Sequence, residues 1–306
     1  MSLPNGLIAF GPAANCTLEL CPIEWSILHY RPSVPASAVF IAIFGLSLLL
    51  NVGQGIYHHT WGYMVTLIAG CILEIAGYVG RLILYDNPFD FNGFIMQIVC
   101  ITIAPVFFCA AIYVLLSQTI LHIDDRISRF KPKLLYWIFI PCDIVSLVLQ
   151  AVGGALSCLA TTQSAVNTGV NISLAGLVFQ VFTLTTFTIT FLDYLNSCRR
   201  NRIPLQPPRI KIFLALLFLS IFFILLRCVY RVVELHEGYF SHFFRDEPLF
   251  IALESAIMGA AALTMNAGHP GLVFSKKKKK RVDSYQMNPH FASRSPDADS
   301  GRPLRF

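Results

Sequence analysis

Residues 71–85 read CILEIAGYVGRLILY, an almost continuously apolar stretch broken by Glu74 and Arg81. On a soluble helix, two charges seven residues apart would mark a solvated face. This stretch has no such face, and with its neighbours it extends over about 63–84, enough for a membrane-crossing helix. An ionisable side chain at that depth costs about 2.5–3.5 kcal/mol or more, so it faces the protein interior and meets a partner there. The whole chain supports the membrane reading. Of its 306 residues 55% are hydrophobic and only 13% charged, about half the share of a soluble domain, and mean hydropathy is +0.63.

Seven windows satisfy the requirement of about 20 apolar residues for a spanning helix: about 36–56, 63–84, 94–121, 134–158, 172–196, 210–233 and 249–271. The expected fold is an all-α, polytopic bundle of seven transmembrane helices over 36–274. An N-terminal segment (1–35) precedes it and a polybasic, disordered tail (275–306) follows. Pro105 and Pro141 predict bends in the third and fourth spans.

Basic residues set the orientation. Arg126, Arg129, Lys131 and Lys133 lie in one loop, and Arg199, Arg200, Arg202, Arg209 and Lys211 in another. Lys276–Arg281 follows the last span, while the remaining loops and the N-terminal segment hold only Arg31 and Arg245. The N-terminus is therefore expected outside and the C-terminus in the cytoplasm. Directly after a membrane helix, Lys276–Arg281 reads as an anchor for anionic membrane lipids, and no nucleic-acid partner is expected. Asn15-Cys16-Thr17 is a glycosylation sequon on the outer side, whereas Asn171-Ile172-Ser173 sits too near the membrane. Cys16 and Cys21 are candidates for a bridge, and the N-terminus lacks the features of a cleaved signal peptide.

The second span places Glu74, Gly77, Tyr78 and Arg81 on one face, and the sixth places Arg227, Tyr230, Arg231 and Glu234 with the same spacing. Both spans run outward, and the outer charge of each lies about 10.5 Å above the inner one. Laid side by side, the spans would match Glu74 with Arg227 and Arg81 with Glu234, directly or through one intervening side chain, and Arg231 would be left to Glu254 of the seventh span. Such a cluster either fixes packing or forms an outer-half pocket for a charged or zwitterionic head group. Gln97, Asp143, Gln150, Gln180 and His269 add polar groups further along the spans, of which isolated amides are more often interhelical glue, whereas Asp143, an acid with no evident partner, is a candidate carrier of a proton or cation.

No G-x-x-x-x-G-K-[ST] loop or G-x-S-x-G elbow occurs in the sequence. His269 is the one histidine well within a span, so neither a metal site nor a cofactor is expected and the chain reads as a non-enzyme.

The segments EIAGYVGR, APVFFCAAIY, DIVSLVLQAVGG and RCVYRVVE, followed by Glu254 and His-Pro-Gly at 269–271, resemble the fungal lipid-translocating exporter family, the RTA-like proteins. The resemblance spans about residues 26–274. It implies a plasma-membrane protein that exports or flips sphingoid-base-like lipids or toxic amphiphiles without hydrolysing ATP itself. The residues matching family motif positions are Glu74, Tyr78, Arg81, Asp143, Gln150, Arg227, Tyr230, Arg231, Glu234, Glu254 and His269. The alternative is a seven-helix receptor or sensor for an amphiphilic ligand.

Overall fold

The computed structural model describes residues 7–8, 11, 14–26, 28–123, 132–160, 162–201, 209–237 and 246–271. Seven helices are long and apolar enough to cross a membrane, and no strand occurs among the described residues. They are α1 (Val34–His58), α2 (Trp61–Asp86), α3 (Phe91–Ile123), α4 (Pro132–Leu159), α5 (Gln163–Arg200), α6 (Arg209–Glu237) and α7 (Glu247–Ala267). The chain is an all-α, multi-pass membrane protein, as its hydropathy requires.

Local chemistry sets the helix ends. The Ser33 hydroxyl caps α1 by accepting from the Ala36 N–H at 3.5 Å, with Pro35 in the first turn. His59, in the left-handed conformation at φ 57°, ends α1 and permits the short turn into α2. The Thr162 side chain likewise accepts from the Ala165 N–H at 3.4 Å and starts α5 well before its apolar window. Hydropathy registers only the part of a helix that needs hydrocarbon, so the polar turn from Gln163 was invisible to it. The second sequon lies inside this longer helix, where the buried Ser173 hydroxyl donates to the Gln150 carbonyl at 3.1 Å.

Helices adjacent in sequence pack against each other, and α7 closes the ring onto α1. α3 is the most enclosed helix and reaches across to α6, so it stands between α2 and α6. Without a hydrophobic drive between helices in lipid, close approach depends on small residues. A Cβ at Gly176 of α5 would come within 2.8 Å of the Ser146 carbonyl of α4, and one at Gly80 of α2 within 2.9 Å of the Gln97 backbone nitrogen of α3. Large apolar side chains such as Leu49, Val65, Phe182 and Ile212 face outward, where lipid solvates them.

The N-terminal segment lies across the bundle end where α2 finishes and α3 begins. Cys16 and Cys21 are disulfide-bonded and pack on Phe89, while Leu28 packs on Leu84 and Phe94. Arg31 donates to the Tyr85 carbonyl at 2.9 and 3.2 Å and sits 4.2 Å over the Tyr85 ring. The basic residues Arg199, Arg200, Arg209 and Lys211 occupy the opposite end, at the α5 C-terminus and the α6 N-terminus. Lys276–Arg281, the rest of 275–306 and most of the loop 122–133 lie outside the described residues.

Candidate functional site

Pro105 is the first element of the site. It lies inside α3 and has no N–H, so the Ile101 carbonyl one turn earlier loses its helical donor. Arg227 of α6 supplies the replacement at 2.7 Å and also forms an ion pair with Glu254 of α7. One guanidinium thus joins three helices, with Arg227 and Glu254 both almost wholly buried. Glu254 lies in Phe250–Ala256, a π-helical stretch that widens α7. Such stretches recur at functional sites because they re-aim side chains that a regular helix would turn elsewhere.

A second tier of charge lies towards the N-terminal segment. Arg81 of α2 donates to Glu247 of α7 at 2.9 Å, and the same carboxylate oxygen accepts from the Ser33 N–H at 2.6 Å. The Arg81 guanidinium stacks 4.3 Å over the Phe250 ring and reaches the Tyr30 hydroxyl at 3.5 Å. Burial lifts the Tyr30 phenol above its ordinary range, against the opposing pull of Arg81, and keeps it a neutral acceptor. Arg231 pairs with Glu234 at 2.5 Å, three residues along the same helix.

The partners forecast from the matched charge order are therefore corrected. The direct ion pairs are Arg81 with Glu247, Arg227 with Glu254 and Arg231 with Glu234, and Glu74 lies within electrostatic reach of Arg227 without forming an ion pair with it. The reason is α3, which keeps α2 and α6 from packing against each other, whereas α7 reaches both tiers. Glu247 was missed because it precedes the apolar window of the seventh span. Its signal was present, since Glu247 and Glu254 repeat the seven-residue spacing of Glu74 with Arg81 and of Arg227 with Glu234.

Between the tiers and the N-terminal segment opens a narrow crevice of about 350 Å³, its open mouth included. Its lining is mixed, with the polar Arg81, Gln97, Arg231, Glu234, Tyr30 and Thr102 and the apolar Leu28, Ile98, Ile101 and Phe250. The Tyr230 hydroxyl is buried near Glu234 and Arg231 without a hydrogen-bond partner among the described residues. The Tyr78 ring stacks on Phe40 and Phe44 of α1, at 5.4 and 5.9 Å between centroids. Glu74 is 1% exposed, and neither of its carboxylate oxygens has a hydrogen-bond partner among the described residues.

The remaining candidates lie elsewhere. Asp143 of α4 accepts from the Tyr113 hydroxyl of α3 at 2.9 Å, and Gln150 donates to Gln180 of α5 at 2.9 Å. These ties join α3, α4 and α5 away from the crevice. His269, fully buried at the far end, accepts at Nδ1 from the Gly271 N–H at 3.1 Å. A neutral ring then carries its proton on Nε2, which faces the Thr60 hydroxyl at 3.3 Å. Asn15 is exposed, and its side-chain oxygen accepts from the Ile8 N–H at 2.7 Å. No group of three His, Cys, Asp or Glu side chains fit to hold a metal ion occurs among the described residues.

Seven spanning helices enclosing paired charges, with a half-polar, half-apolar crevice beside them, define a multi-pass membrane protein with an internal polar site. The model of the RTA1 like protein family matches residues 67–277, and the chain belongs to that family. It is similar to the sphingoid long-chain base transporter RSB1 of Saccharomyces cerevisiae (strain Lalvin EC1118 / Prise de mousse), with 30% identity over 279 residues, 79% of this chain and 73% of the relative. Protein RTM1 of Saccharomyces cerevisiae is 31% identical over 232 residues, 74% of each chain. Protoporphyrin uptake protein 1 of Saccharomyces cerevisiae (strain ATCC 204508 / S288c) is 25% identical over 280 residues, 79% of this chain and 91% of the relative. No solved structure matches the chain.

Proposed function

We propose that the chain moves an amphipathic lipid of the sphingoid-base type, or a toxic amphiphile of similar build, across the plasma membrane without hydrolysing ATP itself. The observation that carries this reading is the crevice, whose lining combines Arg81, Arg231 and Glu234 with the apolar Leu28, Ile98 and Phe250. An amine-bearing head group meets Glu234 there, its hydroxyls meet Arg231 and Gln97, and the first methylenes of the tail lie on the apolar residues of the lining. The rest of the tail stays in lipid, so the protein shields only the part that hydrocarbon rejects. Entry of a cation loosens the Arg231–Glu234 pair, because both cations compete for one carboxylate.

The relative named as a sphingoid long-chain base transporter supports this substrate class. The basic residues at the end away from the N-terminal segment support an outside N-terminus. The test is reconstitution of the full chain in vesicles with a labelled long-chain base. Wild type is expected to equilibrate the label between leaflets, with Arg231→Ala and Glu234→Gln markedly slower. Equal rates in protein-bearing and protein-free vesicles would remove the transporter reading.

A further inference from the structure

Among the described residues, the charge count of the two tiers is uneven. Glu74, Glu234, Glu247 and Glu254 face three guanidiniums, and Arg81, Arg227 and Arg231 are each engaged with a carboxylate other than Glu74. Glu74 therefore lies buried beside the Arg227–Glu254 pair without a hydrogen-bonded cation of its own among the described residues. A carboxylate in that position is held either by a proton or by a further positive charge nearby.

Polar groups lead from Glu74 to the far end of the bundle. Cys71 lies one turn below Glu74, and its thiol donates to the Ser47 hydroxyl of α1 at 3.6 Å. Asn266 of α7 donates to that hydroxyl at 2.6 Å, and Asn51 to the Ser47 carbonyl at 3.0 Å. One turn beyond Asn266 stands His269, whose ring lies 5.6 Å from that of the partly exposed His58. If these groups were only interhelical glue they would satisfy one another. Instead Asn51 Oδ1, Asn266 Oδ1 and Gln54 Oε1 are buried acceptors without partners among the described residues. Exchanging O and N in either asparagine would still leave an orphan, so the groups of this file do not satisfy one another.

We propose that Glu74 is a proton site that exchanges one proton for one substrate amine in the crevice, and that the file between α1, α2 and α7 connects it to the end of the bundle away from the N-terminal segment. Among the described groups of the two tiers, with the crevice empty and Glu74 protonated, three guanidiniums balance three carboxylates. With an ammonium bound and Glu74 ionised, four cations balance four carboxylates, so each state is neutral and the mixed states are not. The groups facing Glu74 are Cys71 and Tyr78 on its own helix, Cys100 of α3, Arg227 of α6 and Glu254 of α7. α1 contributes no titratable group at that level. The amine partner rests on the substrate reading above, whereas the orphan carboxylate and the file do not.

The test is calorimetric titration of the full chain in nanodiscs with a short-chain 2-amino-1,3-diol lipid, in two buffers of different ionisation enthalpy. Wild type is expected to release about one proton per amine bound, Glu74→Gln to bind without release, and the N-acetylated lipid to cause none. Asn266→Leu keeps Glu74 and is expected to release the proton more slowly in stopped-flow with a pH dye. It also serves if Glu74→Gln fails to fold. Amine binding without proton release in wild type overturns the proton site and leaves the substrate reading intact. Release that persists in Glu74→Gln assigns the proton elsewhere and also overturns it. Absence of any amine binding overturns both readings.

Discussion

At the scale of single residues, Arg227 holds the most. It replaces the donor that Pro105 removes from α3 and neutralises Glu254, all away from water. Removing one partner of a buried pair costs about 3–5 kcal/mol, because the other charge stays behind uncompensated. Arg227→Met should cause a loss of that order in denaturant unfolding in mixed micelles. Arg227→Met combined with Glu254→Gln should recover a large part of it, and a double variant no more stable than the single one would refute the pairing. The buried charges themselves were legible in the sequence, since grease around Glu74, Arg81 and Arg227 admits few other readings. Their partners were not. Matched charge order on α2 and α6 suggests a direct lock, but the order of charges along two helices says nothing about a third helix standing between them.

At the scale of helices, the π-helical Phe250–Ala256 stretch lets α7 serve both tiers. Neither composition nor period announces it, because an apolar helix hides one extra residue in a turn. Ala252 is exposed within the stretch, so deleting it removes no buried side chain. The deletion should turn Glu247 by about 100° relative to Glu254, one residue of helical rotation. The expected outcome is loss of the Arg81–Glu247 contact and of long-chain base movement, with helical circular dichroism retained. Unchanged transport would show that the register of α7 does not matter. The α4–α5 contact makes a separate prediction. Gly176→Leu must place side-chain atoms against the Ser146 carbonyl, where even a Cβ comes within 2.8 Å. Overpacking of this kind costs about 1–3 kcal/mol. The effect should be seen in unfolding, with little change in the crevice chemistry, since Ser146 and Gly176 do not line it.

At the scale of the whole molecule, the count of seven spans and the asymmetry of basic residues must agree, because an odd number puts the termini on opposite sides. The structure adds a physical reason for the N-terminal segment to lie where it does. Ser33 and Tyr30 meet Glu247 and Arg81 at the rim of the crevice, and the Cys16–Cys21 bond folds the preceding residues onto Phe89. A disulfide persists in an oxidising compartment, so this cap argues for the outside independently of the lysine and arginine count. Asn15 stands exposed beside the bridge within its sequon. In a eukaryotic secretory host the full chain should therefore run faster on gels after endoglycosidase treatment, and Asn15→Gln should abolish the shift. A tag at the C-terminus should stay protected in sealed cells and become accessible only after permeabilisation. An accessible C-terminal tag together with no glycan at Asn15 would invert the topology. The crevice would then open towards the cytoplasm, the file from Glu74 would end outside, and the amine would meet the proton site from the cytoplasmic side.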